Sequence, residues 1–321
     1  MDSKTYESKT DVDAQVETQV DALGISIGST KPIPSPWKIM WQEILYDKIA
    51  LFSLLFFVGI IFTSFIWAAT FDADEMARVH IRQLNFRPGY HEGFGNFVLG
   101  TDPHGRDVLS RLVVGARNTF IISFTVAIAA SVIGILIGLL SGFYGGYVDV
   151  AVMRVVDFFT IIPILMFQIT LVTLINPNPF QFGVILTMFA WIGIARAIRM
   201  KTLQQGAMAY IEASKTLGTP NIIILFRELL PNIVSFMVIN LILLTAATMG
   251  IEVGLTFLGF GLPPGTASLG EMVSWARQPF VLQHRWWQWI PAAILIFLMM
   301  LSINYVGQAL NRAADAKRRS V

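Results

Sequence analysis

The sequence predicts an all-α polytopic membrane protein with six transmembrane helices, on three observations. The 321 residues are 55% hydrophobic and only 14% charged, whereas a soluble domain carries about 25% charged residues. The apolar residues are concentrated in long blocks, and a helix needs about 20 of them to cross a bilayer. Basic residues precede the first block and follow the last one. With an even number of spans, both groups of basic residues lie on the same side of the membrane.

The residues before the first apolar block divide into two parts. Residues 1–36 are rich in Ser, Thr, Asp, Glu and Lys and end in a proline-rich stretch, so we expect a disordered cytoplasmic tail and linker. Residues 37–48 mix Trp37, Trp41 and other apolar residues with Lys and Glu at a helical spacing. That pattern predicts an amphipathic helix lying on the membrane surface.

The apolar blocks predict six spanning helices. The long uncharged run is cut in two by Asn176-Pro-Asn-Pro179. Arg196 and Arg199 fall in the fourth helix, and we expect these long side chains to snorkel to the lipid headgroups. The predicted spans are residues 49–70, 118–142, 150–175, 182–200, 231–257 and 286–310.

Six spans place both termini on the same side, and the basic residues predict that this side is the cytoplasm. All eight lysines lie on cytoplasmic segments in this topology, and residues 311–321 form a basic cytoplasmic tail. Residues 71–117 then form an extracytoplasmic loop. This loop carries six arginines, but a long loop weighs less in the positive-inside rule.

Three glycines, Gly134, Gly138 and Gly142, lie one helical turn apart in the second predicted helix. Small residues at this spacing let two helix backbones approach closely. We therefore predict a helix-packing stripe, and a glycine-lined substrate path is the alternative.

The residues that the chain lacks exclude several kinds of chemistry. It has no cysteine, which rules out disulfides, thiolate nucleophiles and thiolate-bound clusters. The four histidines form no H-x-x-x-H pair, so we expect no metal site and no cofactor. No G-x-x-x-x-G-K-[ST] motif for ATP phosphates is present, so we expect no enzymatic activity. The net charge of +2 indicates no nucleic-acid partner.

A charged segment, residues 209–231, separates the fourth and fifth predicted spans. We expect a helix from 209 to 217 that ends before Gly218, because glycine adopts the left-handed conformation without a side-chain clash. Thr219 is predicted to cap a second helix, with Pro220 at its first position. We expect this helix to run to about Leu229 and Pro231 to mark the entry into the fifth span.

The charged residues Glu212 and Lys215 face away from the bundle in such a helix–turn–helix. A solvated loop is the alternative, but a loop needs no helical periodicity on both sides of a Gly-Thr-Pro stop. We therefore predict a docking surface for a cytoplasmic partner.

The same segment resembles the EAA loop of permease subunits of ABC importers. The family pattern is Glu-Ala-Ala, three residues, Gly, nine residues, then Ile-x-Leu-Pro. This chain has Glu212-Ala213-Ser214, Gly218 and Leu230-Pro231 at that spacing. Two positions depart from the pattern, since Ser214 replaces the second Ala and Glu228 stands in place of Ile.

Further motifs resemble the peptide branch of this family, whose signature is LGTDxxGRDVxSRLxxGAR. The resemblance covers residues 35 to 315 and indicates the C-type permease of a dipeptide or oligopeptide importer. The matching stretches are Leu99–Arg111 followed by Gly115–Arg117, then Gly142–Asp149, Met153–Asp157 and Leu258–Pro264.

The resemblance implies the type I importer permease fold, in which residues 118–310 form a five-helix core with a cytoplasmic coupling loop at 201–230. It implies a bacterial plasma-membrane protein that forms half of a peptide translocation pathway. The implied partners are a homologous permease in a heterodimer, two ATPase subunits and an extracytoplasmic peptide-binding protein. The residues implied to couple to an ATPase are Glu212, Ala213, Ser214, Lys215 and Gly218.

Three alternatives stay open. The same architecture can import nickel or another small solute. An ion-driven secondary transporter is a different class, and such proteins usually show paired broken helices. A membrane enzyme has little support, because the sequence has no carboxylate–histidine constellation.

Several charged residues have both a structural and a functional interpretation. For Glu252, in the fifth span, we prefer a structural ion pair to contact with a peptide amino terminus or a partner arginine. Arg154 and Asp157 are expected to pair on one helix surface or to contact the coupling loop.

Two groups of residues are predicted to lie outside the membrane. The signature loop contains Asp102, Arg106, Asp107 and Arg111, which we expect to lock the loop rather than grip a peptide. The loop 262–285, with Trp275 and Arg277, is available to a substrate-delivery protein.

Overall fold

A computed structural model describes most of the chain, namely residues 41–42, 44–70, 79, 81–89, 97–263 and 265–319. The predicted tail 1–36 lies outside the described residues, as do residues 37–40 and 43 of the predicted surface helix. Residues 41, 42 and 44–46 are helical.

Helices dominate the described residues, and the only β feature among them is an isolated bridge between Thr101 and Asp107. Short 3₁₀ turns occur at Ile81–Gln83, Trp275–Arg277 and Trp286–Gln288. The α-helices are α1 (Lys48–Thr70), α2 (Val108–Tyr144), α3 (Gly146–Ile161), α4 (Ile164–Ile175), α5 (Pro179–Gly206), α6 (Ala209–Thr216), α7 (Asn221–Leu258), α8 (Leu269–Ser274), α9 (Pro279–His284) and α10 (Ile290–Arg319).

Five helices, α1, α2, α5, α7 and α10, are long and apolar enough to cross a membrane. The pair α3 and α4 passes the same test together, bent by 74°. Counted as one span, this pair brings the number to six. The chain is therefore an all-α polytopic membrane protein, as predicted.

The prediction of one continuous third helix, 150–175, was wrong. Ile162 has an extended backbone, with φ −72° and ψ 129°. Pro163 explains the break, because it has no N–H to donate and its ring disfavours a helical conformation at the residue before it. The span therefore bends between α3 and α4.

The second spanning helix begins at Val108 rather than at 118, so the predicted loop 71–117 was too long. Asp107 caps this helix, since its Oδ2 atom accepts hydrogen bonds from Ser110 N at 2.8 Å and Ser110 Oγ at 2.6 Å. The additional residues of this helix include the charged Arg111. In the structure it is 1% exposed and paired with carboxylates.

The fourth span is also longer than predicted, and its start is well defined. Asn178 and Gln181 form a reciprocal capping box, with N–O distances of 2.9 and 3.0 Å. Pro179 occupies the first turn, where a missing N–H costs nothing. The predicted interruption at 176–179 is confirmed, with Asn176 in the left-handed region at φ 48°.

Helices α2 and α5 form the most extensively packed pair of the bundle. A Cβ atom added to Gly138 would lie 2.6 Å from the carbonyl oxygen of Ala195. One added to Gly134 or Gly142 would lie 2.8 Å from a carbonyl oxygen of α5. The predicted helix-packing stripe is confirmed, because only glycine permits these backbone contacts.

The chain order gives the bundle two ends, which we name after the short helices they carry. The α6 end also holds the start of α1 and the last turns of α10, joined by an ion pair between Asp47 and Arg312 at 2.6 Å. The α8 end holds residues 97–107, which lead into α2, and the connection between α7 and α10.

Candidate functional site

The segment at the α6 end folds as a helix closed by a glycine turn. The N–H groups of Gly218 and Thr219 donate to the carbonyl oxygens of Lys215 and Ser214, at 3.0 and 3.1 Å. Gly218 has φ 79°. This pair of bonds is the Schellman arrangement that ends a helix on a left-handed residue, so the predicted role of Gly218 in the turn is confirmed.

The second half of the predicted helix–turn–helix differs from expectation. Pro220, not Thr219, occupies the capping position, and no side chain caps the helix. The helix that starts at Asn221 does not stop near residue 229 but continues as α7 to Leu258. The segment is therefore continuous with a spanning helix.

A π-helical turn, Ile224–Leu229, joins the segment to the membrane part of α7. The N–H of Leu230 donates to the carbonyl of Leu225, five residues earlier. Pro231 accounts for the irregularity, because it has no N–H to continue the α-helical ladder. Such π turns within α-helices occur frequently at functional sites.

Apolar side chains hold the segment on the bundle. Ile211 of α6 is fully buried, and it packs with Ile224 and Leu229 of α7 against Leu139 and Ile198. This cluster joins four helices, so α6 is fixed to the end of the bundle.

The opposite face of the segment is exposed. Of the residues predicted to couple, Glu212, Ala213, Lys215 and Gly218 are exposed and Ser214 is half-buried. Glu212 has no side-chain partner among the described residues. The Lys215 ammonium lies 5.5 Å above the ring of Phe143. The exposed apolar side chains around them are Met208, Tyr210, Leu217, Ile222, Ile223 and Phe226.

The α8 end carries a buried network of charges, which includes residues of the signature loop. Asp102 accepts from Arg106 Nε at 2.8 Å and lies 3.6 Å from Arg111 Nε. Arg111 also pairs with Glu271 of α8. These four side chains bind the loop and the start of α2 to α8, as the preferred structural interpretation predicted.

Glu271 itself was missed at the level of the sequence. The signal that could have found it is Ser268-x-x-Glu271, a helix-start pattern, and the Ser268 hydroxyl does accept from the Glu271 N–H at 3.0 Å. Trp275 and Arg277 are also engaged within the chain. The guanidinium of Arg111 lies 5.8 Å from the Trp275 ring, and Arg277 donates to the Leu258 carbonyl at 3.1 Å.

Two ion pairs join α3 to α5, and both correct a prediction. Arg199 holds Asp149 with two contacts of 2.5 Å, and Arg196 pairs with Asp157 at 2.7 Å. The arginines therefore pair within the bundle rather than snorkel to headgroups. The predicted Arg154–Asp157 pair was wrong, since Arg154 has no ion pair with a described residue.

Glu252 lies in α7 and is 0% exposed. Its Oε1 atom accepts from Thr256 Oγ1 at 3.1 Å, whereas Oε2 has no hydrogen-bond partner in the described residues. The preferred prediction of a structural ion pair was therefore wrong within the described part of the chain. Contact with a peptide or with a partner arginine stays a prediction.

Comparisons with known proteins agree with this architecture. The family model described as "Binding-protein-dependent transport system inner membrane component" matches residues 134–320, from the middle of α2 through α10. The oligopeptide transport system permease protein OppC of Lactococcus lactis subsp. lactis is 36% identical over 278 residues, covering 86% of this chain and 93% of that protein.

Two further relatives have similar coverage. The dipeptide transport system permease protein DppC of Bacillus subtilis is 30% identical, covering 87% of this chain and 85% of that protein. A putative peptide permease protein of Brucella suis is 30% identical, covering 86% and 89%. The bundle, the glycine-closed segment and these matches together establish that the chain belongs to the family of binding-protein-dependent transport system inner membrane components.

Proposed function

We propose that this chain forms half of the translocation pathway of an ATP-driven peptide importer, and that the α6 segment docks on a cytoplasmic ATPase subunit. The observation that carries the proposal is the exposed face of α6 and the start of α7. A charged, well-ordered surface projects there from the end of a membrane bundle, on a helix continuous with a spanning helix.

The peptide substrate is supported by the relatives. Proteins named as oligopeptide and dipeptide permeases match over 93% and 85% of their length, so the likeness extends well beyond the family core. Import of nickel or another small solute is the less favoured alternative, since the relatives compared above are named for peptides.

The docking surface combines apolar area with a free charge. Leu217 is 85% exposed, and together with Ile222 and Phe226 it offers side chains that gain from burial in a partner groove. Glu212 adds a carboxylate with no partner in the described chain. Truncating one member of a buried interfacial charge pair costs about 2–5 kcal/mol, so Glu212 is suited to meet a cation on the ATPase.

The remaining partners follow from the proposal. This chain has no phosphate-binding motif for ATP, so two ATPase subunits supply the hydrolysis. A homologous permease completes the pathway as a heterodimer, and an extracytoplasmic peptide-binding protein delivers the substrate. The lysine distribution supports a bacterial plasma-membrane topology with the α6 end and both termini in the cytoplasm.

The test reverses the charge of the docking surface. We expect Glu212→Lys to leave the chain inserted and paired with the partner permease, but to abolish peptide uptake and reduce the ATPase that co-purifies with the complex. The matched control is Asn311→Lys, which adds a positive charge to an exposed position of α10 near the same end but outside the segment.

The expected pattern is loss for Glu212→Lys and near-normal uptake and co-purification for Asn311→Lys. Full uptake and full ATPase recovery with Glu212→Lys would show that the segment is only a connecting loop. Loss with both variants would indicate a general effect of added charge at this end and would equally contradict the proposal.

A further inference from the structure

A pocket lies beside the bend between α3 and α4. Its cavity volume is about 80 Å³, several times the ~10–15 Å³ that one water needs and below the ~300–1,000 Å³ of pockets that enclose a whole drug-sized ligand. It is partly open, and α4, α5 and α7 form its walls. The lining residues are Ile164, Gln168, Leu186, Phe189, Ala190, Thr248 and Ile251.

The pocket lies inside the bundle, away from both ends of α5. Phe189 is ten residues after Pro179, the first residue of α5, which corresponds to about 15 Å along the helix. That is half of the ~30 Å hydrocarbon core of a bilayer. One wall of the pocket begins at the break in the bent span, because the lining residue Ile164 immediately follows Pro163.

Gln168 is the unexplained residue of this pocket. The residue is only 2% exposed, yet its amide has no hydrogen bond with any described residue. Buried amides are normally hydrogen-bonded, and an exception calls for a ligand, a water or another partner. The amide lines the pocket, so the pocket is where its partner belongs.

A second polar group faces the same space. The Thr248 hydroxyl donates within the bundle, with acceptor distances of 3.0 Å to the Ser123 carbonyl and 2.9 Å to the Leu244 carbonyl. A hydroxyl has one proton and two acceptor lone pairs, so its oxygen can still accept a hydrogen bond from a ligand. All other lining residues are apolar.

We propose that this pocket binds the main chain of the peptide in transit, with the Gln168 amide pairing with a peptide bond and Thr248 accepting from a neighbouring N–H. The inference rests on the proposed function and names a substrate-contacting site for it. An amide side chain offers both a donor and an acceptor, which complement the N–H and C=O that each non-proline residue of a peptide carries.

The same chemistry argues against the alternative occupants. A lipid acyl chain cannot satisfy the Gln168 amide. No charged residue is among the described residues that line the pocket, so these residues cannot select peptide side chains by charge. Recognition through the main chain is instead independent of peptide sequence, as a pathway for many different peptides requires.

The first test measures uptake by the complete transporter in proteoliposomes, with its partner permease, ATPases and binding protein. We expect Gln168→Leu and Thr248→Val each to reduce uptake about 2- to 10-fold, the range for loss of one neutral hydrogen bond. The reduction should be equal for Ala-Ala-Ala, Ala-Lys-Ala and Ala-Glu-Ala. The control is Thr173→Val, because this exposed hydroxyl of α4 bonds only its own helix, to Ile169 O at 2.8 Å.

The second test locates the peptide. Since the chain has no cysteine, Ala190→Cys introduces a single thiol into the pocket. The control Gly193→Cys lies on the same helix in open space. We expect Ala-Cys-Ala carrying a pyridyl disulfide to cross-link to the Ala190→Cys chain during ATP-driven turnover, and not to the Gly193→Cys chain.

The outcomes separate the inference from the proposed function. If the unaltered complex transports no peptide, the proposed function fails. If it transports peptides while Gln168→Leu is normal, or is slowed for only one of the three peptides, main-chain recognition in this pocket is wrong. Cross-linking of Ala190→Cys to a maleimide fatty acid or to the partner permease, but not to the peptide, would assign the pocket to that occupant and overturn the inference.

Discussion

Among single residues, Gly218 shows how backbone conformation can restrict a position that has ample space. A Cβ atom added there would meet nothing within 4 Å, but φ is 79°. Gly206, at the end of α5, is equally open and does not have a positive φ. The two glycines therefore differ in conformation alone, which makes them a matched pair.

We predict that Gly218→Ala weakens the docking of the ATPase, while Gly206→Ala does not. A left-handed conformation costs an L-residue about 1–2 kcal/mol, and that much free energy changes an equilibrium by about 5- to 30-fold. Gly206 lies in a helix, where alanine is favoured over glycine. The measurement is the amount of ATPase that co-purifies with each variant at equal permease, and equal recovery from both would contradict this role of the turn.

Between helices, the α2–α5 contact has a stringent steric requirement. The Cβ of a residue at 138 would clash with the backbone of α5, so the helices would have to separate. Because interiors are close-packed, such a displacement also disturbs the side chains around it. The ion pair between Asp149 and Arg199 joins the same helix α5 to α3, which directly follows α2.

We predict that Gly138→Ala destabilises the folded chain by about 1–3 kcal/mol, the usual cost of overpacking. Gly193→Ala is the control on α5, since an added Cβ there meets nothing within 4 Å. The measurement is the thermal unfolding midpoint of each variant in detergent. A midpoint for Gly138→Ala as high as that of the control would show that the helices can shift without cost.

At the scale of the whole chain, the other helices leave the bent span α3–α4 largely exposed. Phe158, Ile161, Met166 and Leu174 are all more than half exposed. The pocket at Gln168 is partly open beside the same span. One six-span chain therefore leaves its bent span and this pocket incompletely enclosed.

We predict that transport requires a homologous permease as a heterodimer partner. Proteoliposomes containing this chain, the ATPases and the binding protein should take up no peptide, and adding the partner permease should restore uptake. The binding-protein-free complex is the control for leakage. Uptake by this chain without another permease would contradict the prediction.

Local patterns were sufficient for much of this architecture. The apolar blocks indicate the number of spans, because a helix that crosses a bilayer needs a long apolar stretch, and such a stretch is visible in the sequence alone. The stripe at Gly134, Gly138 and Gly142 and the turn at Gly218 were also predictable. Each depends on residues within a few turns of one another, so the spacing alone carries the signal.

The errors arose where distant residues meet. The spanning helix α2 begins before Arg111 because the Arg111 guanidinium pairs with Glu271, 160 positions away, and Arg199 pairs with Asp149 at a separation of 50. In a local stretch of sequence, each of these arginines looks like a costly unpaired charge, because its partner comes close only when the helices pack. The pocket at Gln168 has the same origin: one amide in an apolar run is unremarkable until three helices enclose it with no hydrogen-bond partner among the described residues.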